Sequence, residues 1–112
     1  MSETKIFHHD NPEGWIDLGG GNRRRVLLHT DELMVVEFAF EEGGIGALHN
    51  HPHVQASYVA EGRFEVTVGD RTDTLSAGDS FIVPSNVVHG VKALLAGRLV
   101  DSFTPHRADF LA

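Results

Sequence analysis

Short runs of alternating apolar and polar residues dominate the chain from position 23 onward. Turn signals such as Glu61-Gly62 and Gly69-Asp70 separate them, and no stretch keeps a helical period for more than a turn or two. The runs predict strands at 23–30, 33–40, 54–60, 63–68, 71–75, 80–83, 89–94 and 98–104. Short, evenly spaced strands joined by turns are typical of an all-β antiparallel sandwich or barrel.

The last two predicted strands form the connection that matters most for function. We predict a hairpin with the three-residue loop Leu95-Ala96-Gly97, because such loops often close with a left-handed residue and Gly97 sits at that place. This register pairs His89 with Phe103 and turns Asp101 to the face of His89, whereas a two-residue loop would turn Asp101 away.

The first part of the chain is weakly patterned. We treat 1–22 as an N-terminal arm that ends in the glycine-rich turn 19–22, and 23–112 as one barrel domain. Arg23-Arg24-Arg25 begins the first predicted strand, where neighbouring side chains point to opposite faces. It is either a solvated strand start or a source of one inward arginine near a ligand. Residues 41–46, with three glycines, are predicted to be a loop.

Composition narrows the possible partners. The net charge is -7, with 16 acidic against 9 basic residues, which argues against nucleic acid and anionic membranes. The chain has no Cys, so disulfides and thiolate ligands are excluded. No apolar run approaches the ~18 residues of a membrane span, and residues 1–15 lack the apolar region of a signal peptide. We therefore expect a cytoplasmic protein without a membrane partner.

Histidine supplies the candidate chemistry. His49 and His51 are two residues apart and Gln55 is four further on, so on a strand all three share a face. His89 begins a later predicted strand. Three imidazoles and an amide oxygen facing one cavity would bind a divalent metal. The alternative is a His-rich exposed loop, although a loop at a barrel mouth would also permit ligation.

These residues resemble the two motifs of the cupin superfamily. The first motif is matched by Gly43, His49, His51 and Gly62, with Gln55 at the usual glutamate position. The second is matched by Gly78, Pro84 and His89, while Asn86 replaces a glycine and Ala93 replaces an asparagine. The resemblance implies a small single-domain cupin, a double-stranded β-helix or jelly-roll barrel.

The resemblance also implies a metal cofactor held by His49, His51, Gln55 and His89. Because all four ligands are neutral, the full dipositive charge of the metal is available to an anionic substrate. The ligand types suit one divalent transition metal, and Ni, Zn, Fe, Co and Mn all remain candidates.

The C-terminal part narrows the resemblance. Residues 101–105, Arg107 and 109–111, together with 48–65, are similar to the KdgF-type cupins of pectin and alginate breakdown. That family converts 4,5-unsaturated uronates to linear, ketonised 4-deoxy-5-keto-uronates. The resemblance implies that Asp101 is the catalytic acid/base, that Phe103 lines the pocket, and that Arg107 binds or orients the substrate carboxylate.

Asp101 also stands out without the resemblance, because a carboxylate among Leu99, Val100 and Phe103 needs a reason. The alternative is a salt bridge to Arg98, Arg107 or Lys92. For Arg107 the alternative is an ordinary surface position.

Three further expectations complete the interpretation. The partner is a small anionic sugar, the unsaturated uronate monomer. A barrel of this size with an unassigned N-terminal arm often covers its edges by pairing, so we expect a homodimer. Rival functions are a metal-dependent dioxygenase on the same barrel and a non-enzymatic small-ligand-binding cupin.

Overall fold

The computed structural model describes residues 4–112, and residues 1–3 of the expected arm lie outside them. Every paired strand is antiparallel. The elements are β1 (Ile16–Gly19), β2 (Asn22–His29), β3 (Met34–Phe40), β4 (Ile45–His49), β5 (Val54–Val68), β6 (Arg71–Ser76), β7 (Ser80–Val83), β8 (His89–Thr104) and a 3₁₀ helix, Ala108–Leu111. Among the described residues no helix is long and apolar enough to cross a membrane.

Two long strands, β5 and β8, organise the fold. They pair with each other over most of their length. The first half of β5 also pairs with β7 and its second half with β6. The first half of β8 pairs with β4 and its second half with β3. Each long strand therefore contributes to both ends of the barrel, and β8 brings His89 and Asp101 to one interior.

The predicted hairpin over 89–104 and the predicted turn at Glu61-Gly62 are both wrong. Each segment is one continuous strand, and the two strands cross closely where the β5–β8 register shifts. A Cβ atom at Gly62 would lie 2.6 Å from the Ala96 carbonyl oxygen, and one at Gly97 would collide with the Glu61 carbonyl. Gly62 has a φ of 85°, whereas Gly97 does not have a positive φ. The glycines thus permit close backbone approach rather than a reversal of the chain.

The expected loop at 41–46 is also partly wrong. Ile45 and Gly46 begin β4, which pairs with β8. Its apolar Ile45 and Leu48 are exposed, so the segment lacks the alternation that marks a half-buried strand. For the same reason no strand was predicted within the arm, although β1 lies there. All four residues of β1 are exposed, and β1 pairs with β2.

The core consists of two apolar clusters that frame the polar interior. One cluster contains Phe40, Val59, Phe64, Val66, Ala93 and Leu99, and the other contains Met34, Val36 and Phe103. The buried polar residues are Asn22, Arg25, Glu37, His51, Gln55, Ser57, His89 and Asp101. Half of them were predicted from the sequence to be functional residues: His51, Gln55, His89 and Asp101.

Candidate active site

Three histidines converge at one end of the barrel. His49 ends β4 and pairs in register with His89, the first residue of β8, while His51 lies in the loop after β4. One ring nitrogen from each lies within 4.8 Å of the others, and the His49 and His89 ring centroids are 4.3 Å apart. The structure therefore brings together the three predicted histidine ligands, although only His49 reaches the site from within β4.

Each of these histidines is oriented by a backbone carbonyl two residues away. A carbonyl only accepts hydrogen bonds, so the Nδ1 atom must carry a proton and the Nε2 atom of the neutral ring keeps its lone pair. The contacts are His49 Nδ1 to Ala47 O at 2.8 Å, His51 Nδ1 to His53 O at 3.0 Å, and His89 Nδ1 to Val87 O at 2.9 Å. Such outer contacts are those that orient metal-binding imidazoles.

Gln55 provides a further oxygen beside this group. Its Oε1 lies 3.1 Å from His51 Nε2, so two lone pairs face each other when His51 is neutral. Burial lowers the pKa of His51, and it lowers the pKa of His89 to about 4, so the neutral rings are favoured. The buried His89 Nε2 has no hydrogen-bond partner. A cation between these atoms would satisfy all of them, and the donor types suit a divalent transition metal.

Asp101 lies in the interior beside Gln55, and the prediction that it faces inward is confirmed. It is 4% exposed and stands opposite Val36 on β3 and Ser57 on β5. Its Oδ2 accepts a hydrogen bond from Gln55 Nε2 at 3.2 Å, while its buried Oδ1 has no partner. Burial raises the pKa of Asp101 to about 7, against the opposing effect of the Ser57 hydroxyl.

Asp101 does not form the salt bridge to Arg98, Arg107 or Lys92 that was its alternative role. Arg98 pairs with Glu37 and Glu61, and Arg107 pairs with Asp109. Lys92 makes no ion pair within 4.0 Å in the described part of the chain. Asp101 is a buried carboxyl group without a cationic partner, which is a common feature of catalytic acids and bases.

The cavity that joins these groups has a volume of about 590 Å³. This is within the range of pockets for small molecules. Phe103, which is 1% exposed, forms part of its wall and packs edge-on against the His51 ring at 5.7 Å. Arg107 also lines the cavity, with its guanidinium 5.2 Å from the Phe103 ring centroid. The three residues expected to act on substrate, Asp101, Phe103 and Arg107, thus share one cavity with His49 and His89.

Arg24 is the inward-facing member of the run Arg23-Arg24-Arg25. It lines the cavity, whereas its neighbours Arg23 and Arg25 lie over the ring of Trp15, at 4.3 and 4.5 Å from the centroid. The interpretation of this run as a solvated strand start is wrong, since Arg25 is buried and pairs with Glu37 at 2.8 Å. The alternation of faces along a strand was the one signal for an inward arginine.

Comparison with known proteins agrees with this architecture. The Cupin domain family profile matches residues 36–103. The pectin degradation protein KdgF of Dickeya dadantii (strain 3937) is 41% identical over 104 residues, which cover 91% of this chain and 94% of that protein. The chain belongs to the KdgF family of cupins.

Two solved structures of cupins show the same fold over nearly the whole chain. An RmlC-like cupin from Shewanella frigidimarina NCIMB 400 is 42% identical and has a TM-score of 0.92, with 98% of this chain and 99% of that chain covered. KdgF from Halomonas sp. is 36% identical and has a TM-score of 0.88, with 92% and 97% covered. The expected all-β, single-domain cupin barrel is therefore confirmed.

The structure accommodates both departures from the cupin motifs. Asn86 stands where the second motif has glycine, and its φ of 64° is left-handed, a conformation that asparagine tolerates better than most residues. Ala93, at the motif's asparagine position, is fully buried in the apolar core. The Asn86 N–H donates to the His51 carbonyl oxygen at 2.8 Å, and Ala93 packs in one cluster with Phe40 and Leu99, which line the cavity, so both positions support the site.

Proposed function

We propose that this KdgF-family cupin acts in pectin degradation by opening and ketonising 4,5-unsaturated uronates, the monomers that polyuronate lyases release. The observation that carries the proposal is Asp101, a buried carboxyl group with no cationic partner in the cavity that His49 and His89 line. Its D. dadantii relative is named for pectin degradation, which supports the substrate class.

The site fits a metal cofactor, and His49, His51, Gln55 and His89 would hold it. A divalent metal bound there supplies a Lewis acid that attracts and polarises anionic oxygen groups. The protein contributes the orientation of the ligands, because the backbone carbonyls fix all three Nδ1 protons. Phe103 supports the His51 ring and excludes water from one side of the cavity.

The proposed reaction needs one proton to be removed and another to be delivered. The substrate is a cyclic hemiacetal in which the ring oxygen is attached to the C4=C5 double bond. Removal of the proton from the C1 hydroxyl forms the C1 carbonyl, breaks the bond between C1 and the ring oxygen, and leaves an enolate at C5. Protonation of C4 then gives a methylene group and a ketone at C5. One proton leaves O1 and one arrives at C4, so the reaction is a redox-neutral isomerisation.

A single carboxyl group can perform both transfers when its pKa lies near the working pH. Burial places the pKa of Asp101 at about 7, so both its protonated and its ionised form are populated near neutrality. Gln55 holds Oδ2 in place by donating a hydrogen bond, which leaves Oδ1 for the proton transfers.

The proposal is tested with 4,5-unsaturated galacturonate released by a pectate lyase. Proton NMR follows loss of the vinyl H4 signal and growth of the C4 methylene signal. We expect the purified protein to exceed the spontaneous rate, to lose that excess after treatment with a chelator, and to regain it when Ni²⁺ or Zn²⁺ is added back. A rate equal to the spontaneous one, with metal bound, would rule out the proposed reaction.

A further inference from the structure

Arg24 occupies a place in the cavity that the proposed mechanism does not use. It lies on β2 between Ile16 of β1 and Phe38 of β3, and Phe38 also lines the cavity. The centre of its guanidinium is 3.9 Å from the ring centroid of Phe110. A cation–π contact of this kind helps to hold the guanidinium in place at the cavity wall.

Arg24 has no ion-pair partner within 4.0 Å in the described part of the chain. Its Nε is buried and donates no hydrogen bond. A buried donor of a charged group is costly to leave without a partner. Because this buried donor belongs to a residue that lines the cavity, a ligand of opposite charge bound there would give it a partner.

Arg107, by contrast, is already engaged. Its Nε donates to Asp109 Oδ1 at 3.0 Å and its Nη2 to Asp109 Oδ2 at 2.9 Å. This two-point contact uses one edge of the guanidinium fork, the geometry in which arginine also binds a substrate carboxylate. The Arg107 guanidinium lies 4.2 Å from the Phe110 ring centroid, so both arginines contact the same ring.

The geometry points to Arg24 as the residue that binds the carboxylate of the uronate, with Arg107 held by Asp109 as a second positive charge beside it. This inference rests on the proposed function, because it assigns the anionic group of that substrate. Removal from water lowers the pKa of Arg24, Asp109 raises it, and the nearby Arg107 charge lowers it again. An incoming carboxylate would relieve both the desolvation and the repulsion between the two guanidinium groups.

The test compares Arg24→Gln and Arg24→Lys with the wild type and with Arg23→Gln. Arg23 is the matched control, because it is the adjacent arginine and lies over Trp15 outside the cavity. Each protein, loaded with Ni²⁺, is assayed by NMR on 4,5-unsaturated galacturonate and on its methyl ester. The ester keeps the ring and the double bond but lacks the negative charge.

We expect Arg24→Gln to lower kcat/KM on the acid by roughly 10- to 100-fold, mainly through KM, because a charge-assisted fork is lost. The kcat/KM of Arg24→Lys on the acid should lie between those of the wild type and Arg24→Gln. The kcat/KM of Arg23→Gln should match that of the wild type. On the methyl ester, wild type and Arg24→Gln should differ by less than about 3-fold.

The outcomes separate this inference from the proposed function. Equal KM values for wild type and Arg24→Gln on the acid would overturn the role of Arg24 while leaving the reaction established. Equal losses on the acid and the ester would also overturn it, since they would show that Arg24 only supports Phe110 and the pocket wall. Absence of turnover in the wild type would overturn the proposed function, and the carboxylate assignment with it.

Discussion

Gln55 and Asp101 are diagonal neighbours on the paired strands β5 and β8, and Gln55 Nε2 donates a hydrogen bond to Asp101 Oδ2 at 3.2 Å. The same amide directs its oxygen toward His51 Nε2 at 3.1 Å. One side chain thus connects the candidate metal ligands to the candidate acid/base. A glutamate, the residue that the cupin motif usually has at this position, could not donate to Asp101.

Gln55→Glu should therefore change the acid–base chemistry of the site. Two carboxylates at hydrogen-bond distance disfavour each other's ionised form, so the pKa of Asp101 should rise above its value of about 7. We expect the pH dependence of kcat to move toward alkaline pH. The measurement is a pH–rate profile, with metal content determined for both proteins. An unchanged profile at equal metal content would show that the Gln55–Asp101 contact does not control the reaction.

The raised pKa of Asp101 also predicts how the stability of the metal-free protein depends on pH. Its folded pKa of about 7 exceeds an unfolded value of about 3.9, so the folded state binds the proton more tightly. This contribution is fully present below about pH 4 and is lost as the pH rises through about 7.

Urea unfolding of metal-free wild type and Asp101→Asn at pH 5 and pH 8 measures this effect. Relative to the variant, the wild type should lose on the order of 1–3 kcal/mol between the two pH values. Asp101→Asn should be the more stable protein at pH 8, because it buries no charge. If the difference between the two proteins were the same at both pH values, Asp101 would titrate as an ordinary exposed carboxylate.

Metal binding should depend on His89 and not on histidines outside the cavity. We expect wild type to hold about one equivalent of Ni²⁺ or Zn²⁺ per chain and His89→Ala to lose most of it. His29→Ala is the matched control, since His29 is exposed on β2 and stacks with His106. Elemental analysis measures the content. A metal at 100 times its Kd should also stabilise the wild type by about 2.7 kcal/mol, and the His89→Ala protein far less.

Equal metal content in His89→Ala and wild type would place the metal elsewhere or show that the remaining ligands suffice. A loss in His29→Ala as large as that in His89→Ala would point to a general effect of removing imidazoles.

The candidate ligands could be selected from the sequence because local spacing marks them. His49, His51 and Gln55 fall within seven positions, and His89 follows Pro84 at the interval of the second motif. In the structure the three histidines form one group, and Gln55 Oε1 lies 3.1 Å from His51 Nε2. The strands β1 and β4 were not predicted, because their apolar residues are exposed and do not alternate with buried ones.

The face of Asp101 was predicted correctly from a topology that is wrong. Within β8 the residues Gly97, Leu99, Asp101 and Phe103 are all buried and alternate with more exposed neighbours. That alternation turns Asp101 inward in one continuous strand, as the predicted hairpin with a three-residue loop would also have done. The hairpin itself failed because a glycine that admits a crossing strand has the same local pattern as a glycine that closes a turn.

Arg24 could not be selected from the sequence among three identical neighbours. Arg23 and Arg25 lie over the ring of Trp15, outside the cavity, whereas Arg24 contacts Phe110, which lies near the end of the chain. Neither contact has a signal in the local pattern, because both join segments distant in sequence.

The most direct test of the account is the rate of ketonisation by Asp101→Asn. The variant keeps the shape of the side chain but cannot exchange a proton in the same way. Asp73→Asn, at an exposed position on β6, is the matched control. With the fold and metal content of all three proteins verified, NMR follows the vinyl H4 signal of 4,5-unsaturated galacturonate, and the spontaneous rate is subtracted. We predict a loss of about 10²- to 10⁴-fold for Asp101→Asn and none for Asp73→Asn. Activity of Asp101→Asn within a few-fold of the wild type would contradict the account and remove Asp101 from the mechanism.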